Sequence, residues 1–240
     1  MAEKMLTISG VHSGYGDVPV LWGVDLDIEQ GEIACLIGSN GAGKTTLMRT
    51  ISGLVPASAG SIRFEGKELA QSDPDAVLGA GIAHVPEGRR LFSAMSIRDN
   101  LLMGAYLRTD GAGAIASDLE RMFTMFPILA ERRSQDAGTL SGGEQQMCAI
   151  ARGLMSAPKL LLIDELSLGL APAIVDQLCD ALRTLNQGGL TMLVVEQDVA
   201  IALELARHAF VMDTGRITRS GQSGALANDP AIREAYLGSL

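Results

Sequence analysis

Positive charge is scarce in this sequence. Nineteen Lys and Arg stand against 28 Asp and Glu, a net charge of -9 over 240 residues, and the pI is near 4.8. That balance argues against broad nucleic-acid binding and against a polybasic lipid anchor. It leaves room for a small phosphorylated ligand, which needs only local positive charge. Long apolar runs are also missing. Hydrophobic residues make up 47% of the chain, yet no uninterrupted stretch approaches the length needed to span a bilayer. The first residues, MAEKMLTISG, lack the apolar block and small-residue cleavage site of a secretory leader. Cys35, Cys148 and Cys179 are odd in number, far apart and set among apolar residues, so they read as buried free thiols of a cytoplasmic protein. His12, His84 and His208 have no metal-ligand spacing and read as structural. There is no internal repeat and no low-complexity linker.

What is present reads as strands and helices in turn. Residues 4–10 and 17–29 alternate apolar and polar side chains about a Gly-rich turn, which predicts antiparallel strands. Glu32–Gly38 (EIACLIG) is almost continuously apolar and predicts a buried parallel strand, followed by helical spacing over Lys44–Ile51. Ser61–Glu68 resembles an edge hairpin and Ile82–Pro86 a short strand. From about residue 88 to 156 the pattern turns helical. Ser96 is placed to cap a helix running through Leu107, Thr109–Ala114 reads as a flexible link, and Asp118–Phe126 is a helix interrupted by Pro127. Lys159–Glu165 and Leu190–Glu196 are apolar strands with a helix at about 173–187 between them, and Asp229-Pro230 opens a last helix. The order implies an α/β fold on a mainly parallel sheet. Residues 1–240 form one domain, with the core in 1–87 and 157–240 and a helical insertion in 88–156.

Gly38-Ser39-Asn40-Gly41-Ala42-Gly43-Lys44-Thr45 matches G-x-x-x-x-G-K-[ST], after a strand and at the start of a helix. A Gly-rich turn alone could give part of this string, but not its context. The glycines let successive N–H groups point at phosphate oxygens, and the helix N-terminus favours an anion. Lys44 would reach the β- and γ-phosphates and the Thr45 hydroxyl would ligate Mg²⁺, with Thr46 following in the helix. Leu160–Glu165 (LLLIDE) ends in two acids where parallel sheets bind ligands. There Asp164 would hold Mg²⁺, and Glu165 would orient and deprotonate the attacking water. Such an ending could also be a solvated strand end; beside the phosphate loop it predicts one Mg-ATP site. Ser141 and Glu144 in Leu140-Ser141-Gly142-Gly143-Glu144-Gln145-Gln146 have capping-box spacing, and the two glycines leave backbone N–H groups open to an anion.

With LSGGEQQ some twenty residues before the acidic pair, the sequence resembles the ATP-binding cassette (ABC) ATPases over essentially its whole length. The resemblance implies a P-loop NTPase (RecA-like) core with an N-terminal antiparallel β subdomain and an inserted α-helical subdomain. It also implies a head-to-tail dimer, in which Ser141, Gly142 and Gly143 contact ATP bound to a neighbouring chain. Tyr15 matches the family's adenine-stacking aromatic, and stacking of this kind contributes about 1–3 kcal/mol per base.

The departures from the common pattern narrow the resemblance. Glu87 stands at the usual Gln position, where it would face the metal; Ala171 replaces Asp and Gln197 replaces the family's switch His, while Leu166, in place of Pro, departs even from the branch that the other changes point to. An amide still donates to a γ-phosphate but carries no proton charge. VPEGRRLF, SLGLAP and LVVEQ resemble the second ATPase of branched-chain amino-acid importers, and the urea-importer ATPase is closely similar. This resemblance implies a sibling ATPase, with a homodimer left open, two transmembrane permease subunits and an external solute-binding protein. It places the chain on the cytoplasmic face of the inner membrane, with Glu87–Arg90, Leu91, Phe92 and Met95 on the permease-facing surface. The different-class alternative, a soluble ABC ATPase acting on nucleic acid or ribosomes, fits less well. The span from Lys44 to Ser141 has no room for a very long coiled coil, there is one cassette, and the chain is acidic.

Overall fold

The computed structural model describes residues 3–237. The alternating N-terminal segments pair as an antiparallel hairpin, β1 (Lys4–Tyr15) and β2 (Val18–Glu29). The apolar run that follows is β3 (Ile33–Ile37), and the residues after the first helix form β4 (Ala57–Phe64) and the short β5 (Lys67–Glu68). β4 pairs with β1, giving an antiparallel sheet ordered β2-β1-β4-β5. A second sheet is built from β3, β6 (Ile82–Val85), β7 (Leu160–Asp164), β8 (Thr191–Glu196), β9 (His208–Asp213) and β10 (Arg216–Gln222), in the order β10-β9-β3-β8-β7-β6. Its pairs are parallel except for β10, which returns antiparallel to β9.

The parallel strands are apolar throughout because both of their faces are covered. In β3, Ile33, Cys35 and Ile37 point into one core, while Ala34 and Leu36 point into the other. β7 and β8 divide in the same way: Leu161, Ile163, Met192 and Val194 face the first core, and Leu160, Leu162, Leu193 and Val195 the second. The second core is shared with the antiparallel sheet and with α1 (Lys44–Ile51), through Leu47, Met48 and Ile51. All three cysteines are buried and free, as expected.

After α2 (Pro74–Ala80), the segment between β6 and β7 holds α3 (Ile97–Met103), α4 (Ala112–Met125), α5 (Pro127–Glu131) and α6 (Gly142–Leu154). Residues 88–96 are irregular, so the helical pattern starts later than expected. The Ser96 hydroxyl caps α3, accepting from the Asp99 N–H at 3.1 Å. The helix then stops at Met103 instead of running to Leu107; Gly104 keeps helical angles, with its N–H turned to the Leu101 carbonyl, and is pressed against α6. A Cβ there would lie 1.9 Å from the Arg152 carbonyl oxygen. The Thr109–Ala114 link is shorter than expected: Gly111, at φ 99, makes the turn, and helix-favouring alanines start α4 at Ala112. α7 (Pro172–Gln187) matches its pattern, and α8 (Val199–Leu205) follows β8. In the tail, the Asp229 side chain caps the expected turn at Pro230; Gly238 lies outside the described residues.

Candidate active site

Parallel pairing brings the chemistry-bearing loops to one sheet edge. Ile37 pairs with Glu196, Asp164 with Val195, and Val85 with Ile163. The residues just past these strand ends are therefore neighbours: Gly38, Gln197, Glu165 and Glu87. Asn40, Gly41, Gly43, Lys44, Thr45, Thr46, Glu87, Glu165 and Gln197 line one cleft of about 510 Å³.

The phosphate loop leaves β3 at Gly38, where a Cβ would lie 2.2 Å from the Met212 carbonyl oxygen, so no other residue fits without a shift. It turns through Ser39–Gly43, with the Ala42 N–H donating to the Ser39 carbonyl at 3.2 Å. Gly43 precedes α1 with φ 107 and provides no side-chain cap. The first N–H groups of the helix thus remain available to an anion. The Lys44 ammonium is buried and curls back onto its own loop, donating to the carbonyls of Gly38 at 2.7 Å and Ser39 at 2.9 Å. Burial lowers its pKa, while the Glu165 and Asp164 charges oppose that shift.

Asp164 ends β7 almost fully buried, at 1% exposure. Its Oδ1 accepts from the Thr45 hydroxyl at 3.3 Å, and its Oδ2 is buried without a hydrogen-bond partner. Burial pushes its pKa up to about 6; the Thr45 bond opposes this, and the Glu165 and Glu87 charges add to it. A carboxylate held this way, with a bare oxygen beside a hydroxyl, is a fitting donor set for a hard divalent cation that keeps waters and phosphate oxygens as its other ligands. No cluster of three or more His, Cys, Asp or Glu side chains forms a metal cage among the described residues. Glu165 sits in the left-handed region at φ 59, its N–H bonded to the Val195 carbonyl at 3.1 Å. The Gln197 amide donates to its Oε1, and its Oε2 is buried without a partner.

The remaining candidates lie around this cleft. The exposed Tyr15 ends β1 outside the cleft lining; its hydroxyl accepts from Arg49 Nη1 at 3.1 Å and from the Thr46 hydroxyl at 3.5 Å. Ala42 is buried under the loop. Ser141, Gly142 and Gly143 do not line the cleft. They form the start of α6, where Ser141 and Glu144 complete a reciprocal capping box. Leu166 is fully buried in the first core, and Ala171 precedes α7 without a side-chain cap. Arg89 and Arg90 are both in the left-handed region, at φ 63 and 48. The Arg89 guanidinium turns onto α6, with Nη1 3.5 Å from Gln145 Oε1, so it is half-buried instead of facing outward. Leu91 also packs on the core. Phe92 and Arg90 line a separate groove of about 370 Å³, with Leu54, Leu78, Met103 and Tyr106. The cleft also holds residues that the sequence reading did not single out, Val20 and the exposed Leu168. Leu168 had one signal: an apolar residue in a Gly-containing loop just past two acids.

Comparisons with known proteins agree with this geometry. The model of the ABC transporter family matches residues 21–167. The chain is 45% identical to the high-affinity branched-chain amino acid transport ATP-binding protein BraG of Pseudomonas aeruginosa, over 98% of this chain and 100% of that one. It is 31% identical to the probable branched-chain amino acid transport ATP-binding protein LivF of Archaeoglobus fulgidus, over 98% and 99%. Among solved structures it resembles a nucleotide-free ATP-binding cassette from an ABC transporter, at TM-score 0.85 and 26% identity, covering 99% of this chain and all of that one. An ADP-bound cassette matches at TM-score 0.83 and 26% identity, with the same coverage. With its phosphate loop, its acidic strand end and the capped helix of LSGGEQQ, the family's signature, all in place, the chain belongs to the ABC transporter family as an ATP-binding cassette.

Proposed function

We propose that this chain hydrolyses ATP to power import of branched-chain amino acids through a membrane permease. The observation that carries the reading is a divided site. The cleft gathers Lys44, Thr45, Glu165 and Gln197, while Ser141, Gly142 and Gly143 form a separate helix start on the same chain. A head-to-tail pair of cassettes would bring the signature helix of each onto the other's nucleotide. The 45% identity to BraG supports the choice of solute.

In this reading the Lys44 ammonium exchanges the carbonyls of Gly38 and Ser39 for the β- and γ-phosphates of ATP. The N–H groups opening α1 and the loop Asn40–Gly43 cradle the phosphates. Thr45 and Asp164, with Glu87 across the cleft, would hold Mg²⁺, which supplies charge neutralisation at the phosphates. Glu165 accepts the proton of the attacking water, and Gln197, already bonded to Glu165, orients it with its amide. Tyr15 stacks on the adenine at the rim beside Thr46. Residues 88–156 act as the arm that carries the signature helix. The groove lined by Leu54, Phe92, Met103 and Tyr106 receives a permease helix. The partners are a sibling ATPase, two permease subunits and, through them, a solute-binding protein, at the cytoplasmic face of the inner membrane.

The test is purification of the tagged chain from its native membranes in mild detergent, followed by ATPase assay of Lys44→Ala and Glu165→Gln. Two permease subunits and a second cassette should co-purify. Lys44→Ala should weaken nucleotide binding, and Glu165→Gln should bind nucleotide but hydrolyse it slowly. Recovery only from the soluble fraction, without permease, removes the transport claim. Wild-type hydrolysis by Glu165→Gln removes the role given to Glu165.

A further inference from the structure

Glu196 is a carboxylate where the fold has no evident need for one. It is the last residue of β8, in register with Ile37 at the centre of the parallel sheet, and only 1% exposed. Burying an ionised carboxylate costs several kcal/mol unless its oxygens are fully bonded. Burial does push its pKa up, opposed by the hydrogen bonds that it accepts. No Lys, Arg or His pairs with it among the described residues. Its partners belong instead to the two loops that flank the reaction. Oε1 accepts from the Ser167 N–H at 2.8 Å, and Oε2 from the Ser167 hydroxyl at 2.8 Å and the Gln197 N–H at 3.2 Å.

We infer that Glu196 is a positioning residue for hydrolysis: its buried carboxylate clamps the Glu165–Ser167 turn to the Gln197 turn and so fixes the attacking water's two partners relative to each other. The inference rests on the proposed roles of Glu165 and Gln197. The geometry joins these loops at several further points. Glu165 is stitched to β8 through the Val195 carbonyl and held at a positive φ that an unrestrained glutamate would leave. Leu166 anchors the same turn from below, fully buried in the first core. The Gln197 side chain then reaches back to the Glu165 carboxylate and closes the ring 165–167–196–197. Leu168, next to the clamped Ser167, lines the cleft, so the same clamp sets one of its walls. A misplacement of about 1 Å in such a group can cost about a hundredfold in rate. Among the described residues, Glu196 accepts no hydrogen bond from the residues that cradle the phosphates, so the clamp should act on turnover and not on nucleotide affinity.

The test uses the complex purified through the tagged chain. Wild-type turnover minus that of Glu165→Gln defines the share that belongs to this chain's site. Glu196→Ala should lower that share about tenfold, with KM and the Kd for a fluorescent ATP analogue changed less than about threefold. Glu196→Gln keeps the shape but offers an acceptor to only one of the two turns and sets its NH2 against a backbone N–H of the other, so it should recover only part of that share. Ser167→Ala removes one arm of the clamp at a half-buried loop position that does not threaten the fold. It should lower kcat by about threefold alone and add little to Glu196→Ala. If Glu196→Ala keeps wild-type kcat, or loses affinity while kcat holds, the clamp is wrong, and so it is if Ser167→Ala and Glu196→Ala act additively. If Glu165→Gln itself turns over like wild type, the reading of the site fails and the inference falls with it. A deficient Glu165→Gln with an intact Glu196→Ala overturns the clamp alone.

Discussion

Acidification should destabilise this protein through His84. The residue lies on β6 beside the groove, with Nδ1 3.1 Å from the Ser52 hydroxyl oxygen and Nε2 buried without a partner. Because the Ser52 hydroxyl donates to the Arg49 carbonyl at 3.3 Å, its oxygen is free to accept from Nδ1–H, and Nε2 keeps the lone pair. Protonation would bury an N–H with no acceptor. Burial, assisted by the Arg49 charge, lowers the pKa from the ordinary 6.5 to about 4. Between those values the unfolded chain binds a proton that the folded chain refuses. Stability is therefore present above the window and lost as the pH falls through it. At about 1.4 kcal/mol per pH unit the whole gap amounts to about 3 kcal/mol, of which about 2 kcal/mol is gone by about pH 5. That is a large part of the roughly 5–15 kcal/mol of a typical domain. Urea unfolding of wild type and His84→Asn at about pH 7 and about pH 5 isolates this contribution from the chain's other titrating groups. The Asn chain should lose about 2 kcal/mol less than wild type on acidification. Parallel losses in the two chains would refute the assignment.

Three further outcomes follow from the geometry. Arg152 donates to the carbonyls of Arg90 at 2.8 Å and Arg89 at 3.0 Å and lies over the Phe92 ring, so Arg152→Leu should cost about 2–3 kcal/mol in urea unfolding and reduce co-purification of the permease, which an intact complex would contradict. Gly104→Ala must push α3 away from α6 to relieve its 1.9 Å contact, and a stability loss of less than about 0.5 kcal/mol in urea unfolding would show that this approach is not tight. Gln197 cannot carry a proton charge, so disabling Glu165 should cost less transport than disabling the equivalent residue of the proposed sibling ATPase; equal losses of solute uptake in vesicles would count against the asymmetry.

Local chemistry made much of this protein legible before its fold. The strand–loop–helix of Glu32–Ile51, the acidic end of Leu160–Glu165 and the capping box at Ser141 depend on neighbours in sequence, and each stands where its pattern put it; the hairpin expected over residues 4–10 and 17–29 is there too, with its first strand running on to Tyr15. Ends set by distant contacts were not legible. α3 ends at Met103, where Gly104 meets the Arg152 carbonyl, and that contact has no local signal. β9 and β10 escaped because a short apolar run becomes a strand only when β3 offers a parallel neighbour, and a polar edge strand only when β9 offers an antiparallel one. The bonds between Glu196 and Ser167 were likewise not legible: a carboxylate at a strand end reads as solvated until packing buries it. Sequence determined which groups could meet ATP, since those groups sit in short motifs with their own geometry. Only tertiary structure decided which of them meet one another, because the parallel register places Gly38, Gln197, Glu165 and Glu87 at one edge from four distant parts of the chain.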